Sequence, residues 1–92
     1  MEFEWNELKN QQNIIKHGIG FEEAKLIFDD KYLTFIDNRV DYKETREISI
    51  GIIKKLVVVV VVHTDRAGKV RIISARKANS KEREKYNERY KY

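Results

Sequence analysis

The feature that most constrains this chain is an unbroken apolar run, Leu56 to Val62, closed by His63. Seven apolar residues are too few for a membrane-spanning helix, which needs about 20. A strand apolar at every position must be covered on both faces, so the run predicts a central strand. Its neighbours follow from the turn signals around it. Thr64 to Gly68 predicts a hairpin turn, with Gly68 supplying a positive φ, and Val70 to Ala75 is the returning strand. Upstream, Thr45 to Ile52 and Tyr32 to Ile36 read as strands joined by a polar loop that includes Asp37, Asn38, Asp41 and Lys43.

The remaining segments are helical at both ends. Residues 2–5 read as a short strand, and Asn6 is placed to cap a helix that runs to about His17. Gly18 follows as the left-handed residue that ends it, with Ile19 able to pack back on Ile14. Phe21, Ala24, Ile27 and Phe28 share a face at three-to-four spacing and predict a second helix from Phe21 to about Phe28. A last helix is expected from Ser80 to Tyr90, because Asn79 and Glu82 have capping-box spacing. Tyr86 and Tyr90 are its only apolar stripe and read as docking residues. The expected fold is an α+β two-layer domain over residues 1–92: an antiparallel sheet of four to five strands, two N-terminal helices and one C-terminal helix.

Composition narrows the function. The chain has no cysteine and only two histidines, His17 and His63, which leaves no thiolate chemistry and argues against a histidine-rich zinc site. No cofactor and no metal are expected. The residues Met1-Glu2-Phe3-Glu4-Trp5 lack the basic-then-apolar pattern of a signal peptide, so a cytoplasmic location without membrane attachment is expected. The net charge of +4 is unevenly placed: residues 1–50 hold seven basic residues against eleven acids, and residues 51–92 hold twelve against four. A basic C-terminal stretch, Lys54 to Lys91, favours phosphate-bearing or acidic partners, or is simply a solvated surface. There is no Gly-rich phosphate loop, no HExxH, no Gly-x-Ser-x-Gly and no helix-turn-helix recognition pattern.

Strand alternation selects the candidate site. Arg46 shares a face with Ile48 and Ile50, and Arg76 ends the row Val70, Ile72, Ser74. Guanidinium groups at the border of a core need anions, supplied either by an internal partner (Glu22 or Glu23 for Arg46) or by an oxyanion such as phosphate. His17, at a helix C-terminus, either caps the last carbonyls or exchanges a proton with a bound phosphate. His63 reads as structural. Lys77 is placed to steer RNA by long-range attraction, and the turn residue Arg66 either reaches a phosphate or is simply a solvated turn residue. RNA cleavage suits such a set because the substrate carries its own nucleophile, the 2′-hydroxyl, and the protein need only orient it, stabilise charge and move protons.

The ordered motifs Phe3-Glu4-Trp5-Asn6, Asn13, Lys16-His17-Gly18, Phe21-Glu22-Glu23-Ala24 and Phe28-Asp29-Asp30 resemble the opening of the BrnT toxin family. Its second half is resembled by Arg46, Ile50-Gly51, the valine run ending His63-Thr64, Arg71 to Arg76, and Glu82-Arg83-Glu84-x-Tyr86. The resemblance implies a RelE-like ribonuclease fold and the toxin role of a type II toxin–antitoxin pair. RNA cleavage would slow translation, and a BrnA-like antitoxin would silence the toxin and carry it to operator DNA. By motif, His17, Arg46 and Arg76 are the expected catalytic residues, with Arg71 behind them; Lys77, which no family motif fixes, and the turn residue Arg66 join Arg71 as the expected substrate-binding residues. A non-enzymatic interaction module, acting only within a regulatory complex, is the alternative.

Overall fold

The computed structural model describes residues 1–39 and 43–90; Asp41 of the predicted loop and Lys91 of the basic stretch lie outside them. The elements are β1 (Phe3–Trp5), α1 (Glu7–His17), α2 (Phe21–Ala24) running on into a 3-10 helix (Lys25–Asp29), β2 (Tyr32–Asp37), β3 (Arg46–Ile53), β4 (Val57–Arg66), β5 (Lys69–Lys77) and α3 (Ser80–Tyr90). The sheet has the order β1-β5-β4-β3-β2. The valine run is thus the middle strand, as its two-sided apolarity requires. Val59 and Val61 pack beneath α2 and the 3-10 helix with Phe21, Ile27 and Ile72, while Val58 and Val60 face α3 with Ile50, Ile52 and Tyr86.

Two expectations need correction. The sheet is mixed, because β1 pairs parallel with β5 (Phe3 to Val70, Trp5 to Ile72) while β2 to β5 form an antiparallel meander. Short turns dictate the direction of successive strands, but more than sixty residues separate β1 from β5, and nothing local fixes how they pair. The second helix keeps α geometry for one turn only and then tightens. There Ile27 presses on the sheet where Gly51 sits: a Cβ on Gly51 would come within 2.6 Å of the Ile27 Cβ.

The N-terminal helix docks in an unusual way. Its buried residues are Asn10 and Asn13, whereas Leu8 and Ile15 are exposed. β1 stops opposite Ile72, so the outer edge of β5 is open beyond it. The Asn13 side chain covers that edge: Oδ1 accepts from the Ala75 amide at 3.1 Å, and Nδ2 donates to the Ala75 carbonyl at 2.7 Å and to the Ile19 carbonyl at 2.9 Å. Asn10 Oδ1 accepts from Phe21 N at 2.8 Å and so caps the next helix. Gly18, at φ 72°, ends α1 by donating to the Ile14 carbonyl. The Ile14 side chain lies against Gly20, about 3.3 Å from where a Cβ would sit there.

β3 and β4 are joined through Lys54 and Lys55, both left-handed at φ 52° and 55°, with Leu56 N donating to the Ile53 carbonyl. Such a turn suits Asn-Gly. Replacing the exposed pair by Lys54→Asn and Lys55→Gly is expected to stabilise the fold by about 1 kcal/mol in chemical denaturation. No gain in the unfolding midpoint would contradict the strain argument.

Candidate active site

A bulge in β5 sets which side chains face the site. Val62 pairs with Ser74 and His63 pairs with Ile72, so Ile73 is an extra residue in β5. The predicted row Val70, Ile72, Ser74, Arg76 is therefore split. Ile72 joins the core beneath the N-terminal helices, and Ser74 and Arg76 are turned onto the opposite face. On that face the cross-strand ladders run Ile48–Val62–Ser74 and Ile50–Val60–Arg76.

A cleft of about 480 Å³ opens over this surface. Its floor is Ile48, Val60, Val62 and Ser74, and its walls are Lys16 and His17 from the end of α1, Arg39 after β2, Arg76 from β5 and Glu82 from α3. Two of the three expected catalytic residues, His17 and Arg76, thus meet in one place. Arg46 is on the same face at the rim, two residues or about 7 Å along β3 from Ile48, opposite Asp37 in the register. Arg46 Nε lies 3.7 Å from Glu44, not against Glu22, which engages Lys25 at 3.1 Å. Arg71 donates to Glu4 of β1 at 2.7 Å. Arg66 is exposed at the hairpin end, opposite Lys69. Lys77 alternates to the other face from Arg76 and is exposed.

Both arginines of the cleft are held by carboxylates. Arg39 grips Asp37 through Nε and Nη2 at 2.8 and 2.9 Å, and the Asp37 side chain is fully buried. Arg76 grips Glu82 through Nη1 and Nη2 at 2.7 and 2.8 Å. Glu82 also closes the expected capping box, accepting from Asn79 N while its own amide donates to Asn79 Oδ1, both at 2.9 Å. The bond from Arg76 holds the Glu82 carboxyl below the usual carboxylate range. It is therefore a firm anion and poorly matched to abstracting a proton at neutral pH. The imidazole of His17 is the group in this cleft able both to take and to give a proton.

Lys16, Arg39, Ser74 and Glu82 were not singled out as site residues from the sequence. Glu82 had a visible signal in its capping-box spacing, but its reach across to Arg76 did not. Arg39 carried only its position two residues after Asp37.

His63 is buried on the other side of the sheet. Its Nε2 lies 2.7 Å from Ser49 Oγ, which is 2.9 Å from Thr34 Oγ1, and the ring stands edge-on to Phe28. Burial pushes its pKa down, against a smaller upward pull from Glu47. The unfolded chain therefore binds this proton first, from about pH 6.5 downward, and stability is lost below that point until the folded pKa is reached. Glu82 adds a second loss at lower pH, as its depressed pKa is passed. The melting temperature is expected to fall between about pH 7.5 and about pH 5.5, and His63→Gln is expected to flatten that interval. An unchanged slope in the variant would remove His63 from the account.

The family description "Ribonuclease toxin, BrnT, of type II toxin-antitoxin system" matches residues 5–82. The chain belongs to the BrnT toxin family. Among solved structures it is similar to the crystal structure of the Brucella abortus ribonuclease toxin BrnT, at 25% identity and a TM-score of 0.65, covering 87% of this chain and 99% of that one. None of the curated proteins matches the sequence. The matched span takes in the cleft from Lys16 to Glu82, so the site lies within the part shared with the family. Among the described residues no helix is long and apolar enough to cross a membrane.

Proposed function

We propose that the chain, acting in the cytosol as a single toxin domain, is a metal-independent endoribonuclease that slows translation. The observation that carries the reading is the joining of His17, Lys16, Arg39 and Arg76 around one apolar-floored cleft. Arg76, with Lys16 and Arg39, holds the scissile phosphodiester and stabilises the charge that grows on it. His17 assists proton transfer as the neighbouring 2′-hydroxyl attacks phosphorus and the 5′-oxygen leaves. The products are a 2′,3′-cyclic phosphate and a 5′-hydroxyl end. Arg46 at the rim meets the strand next to the cleft. Arg71 and Arg66 lie further along the same face, where long-range attraction for RNA is their contribution. Family membership supports the toxin role and, with it, an antitoxin partner. A BrnA-like protein that supplies the contact with operator DNA is the expected form of that partner.

The test is incubation of the purified protein with RNA in the presence of a chelator. Cleavage that leaves cyclic phosphate ends, and that stops when the residue 5′ to the cut carries a 2′-deoxyribose, is the expected result. A folded protein that cuts nothing would favour the interaction module instead.

A further inference from the structure

The pairing of Arg76 with Glu82 is an obstacle to the chemistry just described, and it also suggests how substrate enters. Guanidinium binds carboxylate and phosphate in the same end-on, two-bond fashion. Here the edge formed by Nη1 and Nη2 already carries the Glu82 oxygens at 2.7 and 2.8 Å. The pair stands at the cleft wall with side chains 39% and 21% exposed, so water and solutes reach it. The carboxylate belongs to the first turn of α3, not to the sheet. α3 is pinned at both ends: just before it the buried Ala78 donates its amide to the Val58 carbonyl at 2.9 Å, and further along Tyr86 and Tyr90 donate to the carbonyls of Lys31 and Tyr32 at 2.8 Å each. The partly exposed Arg76 side chain can therefore swing from Glu82 to another anion while α3 stays in place.

We propose that the Glu82 carboxylate is a tethered stand-in for a substrate phosphodiester, so that RNA enters by exchanging one anion for another on Arg76. This deepens the ribonuclease reading and rests on it for the identity of the substrate. In the resting cleft Glu82 neutralises the guanidinium and holds it at the cleft wall. When a phosphate takes its place, Glu82 retains its bond to Asn79 N and the helix start survives.

Glu82→Gln separates charge from structure, because glutamine also serves at this position of a capping box. The probe is a short single-stranded RNA 2′-O-methylated throughout, which lacks the nucleophile and is not cut. The variant is expected to bind it about fivefold more tightly than the parent, the size of an exposed ion pair released. The dependence of log affinity on log salt is expected to steepen by about 0.7, as for one more phosphate neutralised on a single strand. In an Arg76→Ala background the same substitution is expected to do nothing, a result that a purely structural role for Glu82 would not produce. Equal or weaker binding by a folded Glu82→Gln protein would overturn the proposal and make Glu82 a positioning residue for Arg76. Should that variant not fold, Glu82→Asp keeps the charge but shortens the reach. Tighter binding by it with an unchanged salt slope supports the exchange, and unchanged affinity overturns it. If binding changes as expected but neither parent nor variant cuts unmodified RNA, the ribonuclease reading fails while the exchange stands.

Discussion

Arg76→Ala is expected to lower RNA cleavage by about 10²–10³, or roughly 2.7–4 kcal/mol of transition-state stabilisation, while leaving the fold in place. Both halves follow from where the side chain sits. It stands at the wall of the cleft in which the proposed phosphodiester would lie. Its pair with Glu82 is partly solvated, and pairs of that kind add at most about 1 kcal/mol to stability. Cleavage rates measured under single-turnover conditions, set beside thermal melts, check the two together. A large drop in melting temperature with activity falling only in proportion would mean that Arg76 serves the fold and not the reaction.

The largest expected loss of stability lies at a residue with no catalytic part. Asn13→Leu keeps the approximate size of the side chain but removes the amide that covers the edge of β5. Three hydrogen bonds go at once, to Ala75 N, Ala75 O and Ile19 O. The site is buried, with Asn13 only 7% exposed, so water replaces them poorly. A loss of about 3–4 kcal/mol is expected, out of the roughly 5–10 kcal/mol a chain of this length commands. At about 4–8 °C per kcal/mol, the melting temperature should fall by roughly 12–30 °C. A fall under about 5 °C, followed by circular dichroism, would show that the β5 edge is satisfied without the amide.

These two residues mark what the sequence could and could not disclose. The central strand, both ends of α3, its capping box and its tyrosine anchors were all legible, because each rests on a local pattern: a run, a spacing, a period. Arg76 was picked out as a candidate for the same reason, though the path to it assumed an unbroken alternation that the bulge at Ile73 interrupts. Asn13 was visible only through family resemblance. A helix that docks by buried amides, with Leu8 and Ile15 left outside, inverts the pattern from which core faces are normally read. The direction of β1 and the reach of Glu82 and Arg39 into the cleft depend on how distant segments meet. No local spacing carries that information.

The extra residue in β5 also bears on how this strand tolerates change. Side chains of a strand alternate with a period of two, so one residue more or fewer exchanges the faces of everything that follows. Ser74 and Arg76 look into the cleft, and Ala75 into the helical layer, because the ladder passes over Ile73. A substitution at Ile73 alters one side chain. A deletion there would close the bulge into a regular ladder in which Ile72 still pairs with His63 and Ser74 with Val62, so the guanidinium and the serine keep their faces. Ile73 is thus a position where the strand can lose a residue and keep its faces, whereas elsewhere in β5 such a loss exchanges the faces of the residues that follow.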